Sequence, residues 1–354
     1  EDDDNILNIF LEYNDGLYSE KTAERILEHY QGILEQITFQ KDIKLSDISM
    51  LSQREQSVIL GRFNKTYVEC DQAKTIIDLF EEQVEKTPEN MAVVCGREKI
   101  TYAELNCRAN QLARRLRKMG LERDEFVALI AEQGIETIIA IYGIMKAGGV
   151  YVPIDTMYPE ERLQYVLEDC DARIVLMKGK KQSKCIGNRQ VLDIYDKEVY
   201  TGEENNLGKE SNGEDYIYCT YTSGTTGRPK GIRVKYRNVV NLVRWYQSYF
   251  EIGEEERVIL AASVSFDLTQ RNIFAPHISG GCIYLTGSDE FDALQIVEFI
   301  QDQEITMINC AASAFYGLLY ADSENNYQRI SSLRKVYLVG EELLYSKIAA
   351  YLQK

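Results

Sequence analysis

From residue 75 onward, helical and strand-like segments alternate along the chain, and this alternation restricts the fold more than any other feature. Helical periodicity covers the segments 75–87, 101–120, 135–149, 159–170, 237–250 and 292–304. Runs rich in β-branched and aromatic residues occupy 125–131, 149–155, 172–179, 216–224, 257–266, 282–287, 306–312 and 335–341. Strands separated by helices of this length are typical of parallel βαβ units, so we predict an α/β fold with ligand sites at the carboxyl ends of strands.

Two segments predict local structure in detail. Thr101 and Glu104 have the spacing of a capping box at the start of a helix. An apolar stripe follows that box, formed by Leu105, Ala109, Leu112, Leu116 and Met119. The string "AGGVYVPID" (147–155) reads as the end of a helix, a glycine turn and a buried strand. We therefore assign both segments to the fold rather than to chemistry.

The first seventy residues differ from the rest. Residues 23–38 predict an amphipathic helix with an apolar stripe, Ile26, Leu27, Tyr30, Ile33, Leu34 and Ile37. The residues after it are polar and show no sustained periodicity. We predict that 1–40 is the tail of an upstream unit, that 41–70 is a linker, and that 71–354 is an α/β core. We divide that core into a first portion, 71–215, and a second portion, 216–354, with 178–215 as a surface excursion.

Composition excludes several functional classes. The formal net charge of −16 argues against nucleic acid or an anionic membrane as a partner. Eight cysteines without a CxxC pair, and only two histidines, favour neither a metal cluster nor a disulfide framework, and we expect free thiols in a cytoplasmic protein. The first ten residues lack the pattern of a signal peptide, and the longest apolar run, 138–145, is too short to span a bilayer.

The string "YTSGTTGRPKG" (221–231) is the strongest candidate for a ligand-binding loop. It follows a strand-like run and precedes a helical segment, so its backbone N–H groups and hydroxyls can converge on an anion. Neither the GxxxxGK[ST] nor the GxGxxG pattern is met. On composition alone, a polar surface turn is an equally good reading. The residues placed to contact such an anion are Thr222, Ser223, Gly224, Thr225, Thr226, Gly227 and Lys230.

Further segments match one family in the same order along the chain. "ITYAELN", "MKAGGVYVPID", "YPEERLQYVLED", the loop, "SFDLT" and "LVGEEL" resemble successive motifs of adenylation domains in nonribosomal peptide synthetases, which belong to the adenylate-forming superfamily. The resemblance runs from about residue 66 to the end. It implies the large subdomain of an acyl-CoA synthetase/luciferase-like fold, with parallel sheets flanked by helices.

The same resemblance implies that the anion at the 221–231 loop is the phosphate of ATP, and it implies a set of amino acid contacts. Asp267 falls where relatives bind the ammonium group of an amino acid, although the N-cap of a helix is an alternative role for this carboxylate, which follows the apolar run "LAASVSF". The positions implied to line the amino acid pocket are Leu268, Arg271, Asn309, Tyr337 and Val339, and those implied near the nucleotide are Gly340 and Glu341. Val339, Tyr337 and the cation of Arg271 favour a small, polar or acidic side chain as substrate.

The implied reaction is ATP- and Mg2+-dependent formation of aminoacyl-AMP, followed by transfer to the 4'-phosphopantetheine of a peptidyl carrier domain. Residues 1–40 resemble the end of a condensation domain. The family's later motifs would lie beyond Lys354, so we expect this chain to be a fragment with an incomplete Mg2+ site and little activity alone. We assign no catalytic residue and no metal ligand. Two alternatives stay open: an acyl- or aryl-acid ligase of the same superfamily, and a non-catalytic scaffold at the condensation–adenylation junction.

Overall fold

The computed structural model describes residues 8–68, 74–179, 185–209, 211–222, 228–288 and 290–353. The contacts between residues group the chain into two compact units, Glu1–Cys70 and Asp71–Lys354. Each unit is described by itself below.

The first unit is helical. Its regular elements are α1 (Glu20–Phe39), a 3-10 turn (Leu45–Asp47), α2 (Gln53–Gln56) and a π-helical segment (Ser57–Arg62). The helix predicted at 23–38 is therefore confirmed, and the side chain of Ser19 caps its first turn. The apolar stripe of that helix is largely unburied in this unit, because Ile26, Tyr30 and Ile37 are exposed.

The second unit alternates helices and strands, as the sequence predicts. Its helices are α3 (Ile76–Lys86), α4 (Tyr102–Lys118), α5 (Ile135–Ala147), α6 (Glu160–Asp169), α7 (Tyr236–Tyr249), α8 (Asp267–His277), α9 (Ala293–Gln303), α10 (Ala312–Ala321) and α11 (Tyr345–Leu352). Its strands are β1 (Met91–Cys95), β2 (Glu98–Thr101), β3 (Phe126–Ile130), β4 (Val150–Ile154), β5 (Ile174–Met177), β6 (Gln190–Asp193), β7 (Tyr216–Thr222), β8 (Lys230–Lys235), β9 (Arg257–Leu260), β10 (Cys282–Leu285), β11 (Met307–Ala311) and β12 (Lys335–Val339).

The strands form two six-stranded sheets. Sheet A has the order β12-β11-β9-β10-β1-β2, and sheet B has the order β6-β5-β3-β4-β7-β8. Neighbouring strands are parallel except for β1–β2 and β7–β8, the antiparallel pair at one edge of each sheet. This arrangement confirms the predicted fold class, with mostly parallel sheets and helices packed on them.

The two segments assigned to the fold behave as predicted. Thr101 and Glu104 form the capping box of α4, and the stripe residues from Leu105 to Leu116 are fully buried. Helix α5 ends at Ala147, and Gly148 adopts a left-handed φ of 91° that turns the chain into the fully buried strand β4. A side chain at Gly148 would strain this turn.

Helix α5 occupies the centre of the second unit. It contacts β1 of sheet A as well as β3 and β4 of sheet B. All of its residues except Glu136 are buried, so its sequence is apolar around nearly the whole circumference. A helix with this pattern needs partners on every side, and the two sheets together with α4 supply them.

Several elements escape the sequence prediction. Strand β8 was missed because its alternating Lys and Arg side chains are those of an exposed sheet edge. The surface excursion predicted at 178–215 is wrong for its described part, since it contains the edge strand β6 and the buried side chain of Ile194. The division predicted near residue 215 follows neither sheet, because β7 and β8 complete sheet B while β1 and β2 belong to sheet A.

Candidate functional site

Three adjacent strands of sheet A bring the predicted pocket residues together. Strands β9, β11 and β12 are neighbours and run parallel, so the residues at and beyond their carboxyl ends meet at one edge of the sheet. In the register of β11 and β12, Asn309 pairs with Tyr337, and Ala311 pairs with Val339. Helix α8, which carries Asp267 and Arg271, follows β9 after a short loop.

Asp267 is the first residue of α8. Its carboxylate accepts a hydrogen bond of 2.7 Å from the backbone N–H of Leu268. Although Asp267 follows an apolar run, both it and the preceding Phe266 are exposed. The N-cap position belongs to Phe266, not to Asp267. A negative charge in the first turn is nevertheless stabilised by the positive end of the helix dipole.

Asp267 also lies within electrostatic reach of sheet B. Burial, and then the negative charge of Asp267, raise the pKa of Tyr218 in β7 to about 12. The hydroxyl of Tyr151 in β4 donates a hydrogen bond to Oε1 of Gln270 in α8. Helix α8 is therefore bonded to β4, the neighbour of the strand that leads into the predicted phosphate loop.

The ring of Tyr246 in α7 connects three of the predicted pocket residues. The guanidinium carbon of Arg271 lies 5.4 Å from the centre of this ring. Nδ2 of Asn309 donates to the Tyr246 hydroxyl at 2.9 Å and to Oδ1 of Asn272 at 3.0 Å. The ring of Tyr337 packs edge-on against Tyr246, with 5.7 Å between centroids.

Sequence reasoning missed Tyr246 and Asn272. Both side chains are almost fully buried, and both bond the amide of Asn309. Burial raises the pKa of Tyr246, and the positive charge of Arg271 opposes this effect only in part, so the phenol is protonated at neutral pH. The only signal in the sequence was the buried stripe of α7, in which Tyr246 continues the spacing of Val239 and Val243.

The predicted phosphate loop connects β7 and β8. Ser223, Gly224, Thr225, Thr226 and Gly227 lie outside the described residues. The strands on either side form an antiparallel hairpin in which Thr222 pairs with Lys230, and the Lys230 side chain is exposed.

Helix α6 is hydrogen-bonded to this hairpin at the end next to the loop. Tyr221 donates a hydrogen bond of 2.7 Å to Asp169, and Tyr165 donates one of 3.1 Å to the carbonyl of Pro229. A Cβ at Gly231 would lie 3.0 Å from both Cys219 Sγ and the Tyr221 ring, so glycine at this position allows the two strands to pack closely. These contacts fix where the loop leaves and re-enters the sheet.

Gly340 and Glu341 follow β12. Gly340 has a left-handed φ of 81°, which turns the chain beyond the strand. The carboxylate of Glu341 then accepts hydrogen bonds from the backbone N–H of Ser313 at 2.8 Å and from its hydroxyl at 2.9 Å. Glu341 thereby connects the end of β12 to the first turn of α10.

The described part of the chain offers no candidate metal site and no candidate membrane span. No three His, Cys, Asp or Glu side chains in it are grouped so that they could hold a metal ion. No helix in the same residues has the length and apolar character of a membrane span. The seven cysteines that the structure describes are free thiols.

The fold is shared with solved nonribosomal peptide synthetases. A crystal structure of the nonribosomal peptide synthetase FmoA3 matches with a TM-score of 0.85 and 24% identity, over 95% of this chain and 36% of that chain. The N-terminal subdomain of NpsA from Klebsiella oxytoca matches with a TM-score of 0.70 and 22% identity, over 80% of this chain and 72% of that one.

Sequence comparison assigns the family. The sequence model described as "AMP-binding enzyme" matches residues 80–353, and the chain belongs to this family. Gramicidin S synthase 2 of Brevibacillus brevis is 39% identical over 334 residues, and bacitracin synthase 3 of Bacillus licheniformis is 37% identical over 337 residues. The chain spans only 7% and 5% of the lengths of these two relatives, which align with 94% and 95% of it. The family resemblance read from the motifs is confirmed.

Proposed function

We propose that this chain carries the amino acid pocket and the ATP phosphate loop of an adenylation domain, which activates an amino acid as aminoacyl-AMP for nonribosomal peptide synthesis. One observation carries the proposal. Arg271 of α8 stacks on the Tyr246 ring, which also contacts Asn309 and Tyr337. Asp267 begins the same helix, and Tyr151 bonds that helix to β4, the neighbour of the strand that enters the phosphate loop. An anionic, a cationic and several aromatic side chains are thus carried by neighbouring elements of a mostly parallel sheet, and α/β folds of this kind bind ligands at the carboxyl ends of their strands.

The proposed chemistry begins with the amino acid carboxylate. One of its oxygens attacks the α-phosphorus of ATP, the new oxygen–phosphorus bond forms, and pyrophosphate leaves with the electrons of the bond that breaks. Asp267 accepts hydrogen bonds from the substrate ammonium, a charge-assisted contact. Its place at the start of a helix leaves the carboxylate exposed and free to turn toward the substrate, since its hydrogen bond reaches only the next residue.

The phosphates are assigned to the loop between β7 and β8. Thr222, the five residues that follow it and Lys230 are proposed to bind them, with Lys230 as a point charge. Mg2+ is proposed to accompany ATP. Mg2+ binds through few protein carboxylates together with substrate phosphates and water, so phosphate oxygens of ATP are proposed to be among its ligands.

The nucleotide is proposed to lie near the turn after β12. Glu341 is already engaged by Ser313, so its proposed role is to hold Gly340 and the first turn of α10 in place beside the nucleotide. A solved FmoA3 structure in its α-methyl-L-serine-AMP bound form has the same fold, with a TM-score of 0.85, which supports an aminoacyl-AMP as the product class.

The proposed partners are other domains of a synthetase. Residues 1–40 are proposed as the end of a condensation domain and 41–70 as the linker into the domain at 71–354. A carrier domain bearing 4'-phosphopantetheine is proposed to accept the aminoacyl group. An artificially fused adenylation–carrier di-domain of NpsA and ThdA shares the fold, with a TM-score of 0.72, and supports this partner class.

The test is ATP–pyrophosphate exchange by the full-length polypeptide that contains this chain, measured with and without each amino acid. Exchange that depends on an amino acid is the expected result. In Asp267→Ala we expect kcat/KM for that amino acid to fall about a hundredfold, because the ammonium loses its charged partner.

A matched control separates substrate binding from a loss of helix stability. Asp292 is the N-cap of α9, where its side chain accepts hydrogen bonds from the backbone N–H groups of Leu294 and Gln295. Asp292→Ala should cost stability but leave kcat/KM nearly unchanged. An equal effect of both variants on kcat/KM would reduce Asp267 to a role in helix stability. Exchange driven by acyl or aryl acids and insensitive to Asp267→Ala would favour the acid-ligase alternative, and absence of both exchange and calorimetric ATP binding would favour the scaffold.

A further inference from the structure

Arg271 is a partly buried cation without an anionic partner. Among the described residues no carboxylate pairs with it, and its Nε atom is enclosed and lacks an acceptor. Its guanidinium group stacks over the Tyr246 ring. Partial burial of a charge is costly unless the charge is paired. The planar guanidinium has the geometry that binds a carboxylate through two parallel hydrogen bonds.

The orientation of Arg271 is set by its surroundings. The Tyr246 ring beneath the guanidinium is held at its hydroxyl by Asn309 and at its edge by Tyr337, which in turn packs 4.1 Å from the ring of Phe250. These supports belong to α7, β11 and β12, so the guanidinium rests on a rigid platform. Pre-organisation of this kind reduces the entropy lost on binding.

Asp267 and Arg271 carry opposite charges one turn apart on α8. Residues at i and i+4 of a helix lie about 6 Å apart at their Cβ atoms. The two side chains could therefore pair with each other, yet Asp267 bonds the backbone of Leu268 and Arg271 stacks on Tyr246. Neither of these two charged groups is therefore engaged by the other.

We propose that the amino acid activated at this site has a carboxylate in its side chain, as aspartate and glutamate do, and that Arg271 binds this carboxylate while Asp267 binds the ammonium group. The inference rests on the proposed function, because it takes the space beside α8 as the amino acid pocket. An amide or hydroxyl side chain would supply an acceptor but no charge, so the guanidinium would stay uncompensated.

The neighbouring Asn309 gives no reason to prefer an amide side chain over a carboxylate. Asn309 Oδ1 is fully enclosed and has no hydrogen-bond partner, so this acceptor is not presented to an incoming amide group. A flip of the Asn309 side-chain amide would break two hydrogen bonds, since its Nδ2 donates to both Tyr246 and Asn272. Asn309 therefore does not favour glutamine or asparagine over their acidic counterparts.

The test is amino-acid-dependent pyrophosphate exchange in the full-length polypeptide, with a panel that includes two isosteric pairs, glutamate with glutamine and aspartate with asparagine. We expect the largest kcat/KM for an acidic member, and about a hundredfold less for its amide. In Arg271→Gln the difference within the pair should nearly disappear. Arg271→Lys keeps the positive charge but loses the planar guanidinium, so it should retain part of the difference in kcat/KM between the acid and its amide.

Arg244→Gln is the matched control. Arg244 is an exposed arginine of the same helix as Tyr246, so its loss removes one surface charge without touching the pocket. Its preference should equal that of the wild type. Exchange driven best by an apolar, aromatic, basic or amide side chain would overturn the inference and leave the proposed function standing. If a folded Arg271→Gln variant still discriminates between the acid and its amide as the wild type does, the inference is also overturned. If no amino acid in the panel supports exchange, both the proposed function and this inference are overturned.

Discussion

His277, at the last turn of α8, offers a direct test of how the helix that carries Asp267 and Arg271 is held in the core. The imidazole is fully buried. Its Nε2 lies 3.1 Å from the carbonyl oxygen of Ala92, and its Nδ1 lies 2.9 Å from the hydroxyl of Tyr142. Because a carbonyl only accepts, Nε2 carries the hydrogen and Nδ1 accepts from Tyr142. The neutral ring thus satisfies both contacts.

Protonation of His277 should destabilise the fold. Burial lowers its pKa from 6.5 to about 4, although the Ala92 carbonyl opposes this effect. The unfolded chain therefore binds a proton between these pH values while the native chain does not, so the stability is complete above pH 6.5 and is lost as the pH falls toward 4. The difference corresponds to about 3 kcal/mol in total, and to about 2 kcal/mol between about pH 7.5 and about pH 5.

The assay is urea unfolding at about pH 7.5 and about pH 5, followed by circular dichroism, for the wild type and for His277→Gln. Glutamine does not titrate, so the variant should start from a lower stability and lose about 2 kcal/mol less on acidification. The chain has two histidines, and His29 lies in the first unit, which makes His29→Gln the control. Equal losses in wild type and His277→Gln, or an imidazole pKa near 6.5 by NMR, would refute the reasoning.

Two further predictions concern packing and buried charge. A Cβ at Gly143 in α5 would lie 2.7 Å from Leu112 Cδ2, so Gly143→Ala should cost about 1–3 kcal/mol. At Gly317 in α10 an added Cβ would have no neighbour closer than 3.7 Å, so Gly317→Ala should instead stabilise the fold by about 0.5–1 kcal/mol. Urea unfolding measures the change in the free energy of unfolding for both variants, and changes of the same sign would contradict the packing argument. The buried carboxylate of Glu256 accepts a hydrogen bond from Lys335, so Glu256→Gln should lower the free energy of unfolding by about 3 kcal/mol, and an unchanged value would show the pair to be dispensable.

Secondary structure was predictable wherever the pattern was local. The capping box at Thr101 and Glu104 and the turn at Gly148 each depend on a few consecutive residues, and both occur as predicted. The edge strands β6 and β8 were not predictable in this way. The charged alternation of β8 has meaning only once β7 provides its hydrogen-bonding partner, and β6 is recognisable only from its pairing with β5.

The sequence by itself determined the family and the identity of the candidate site residues, because motif order and residue type are properties of the linear chain. It did not determine how those residues meet. The pairing of Asn309 with Tyr337, the Tyr246 ring between them and Arg271, and the exposure of Asp267 all depend on the order of strands in sheet A and on the packing of α7 against α8. Contacts between distant segments arise only when the chain is compact, so the charge environment of the pocket is a property of the tertiary structure.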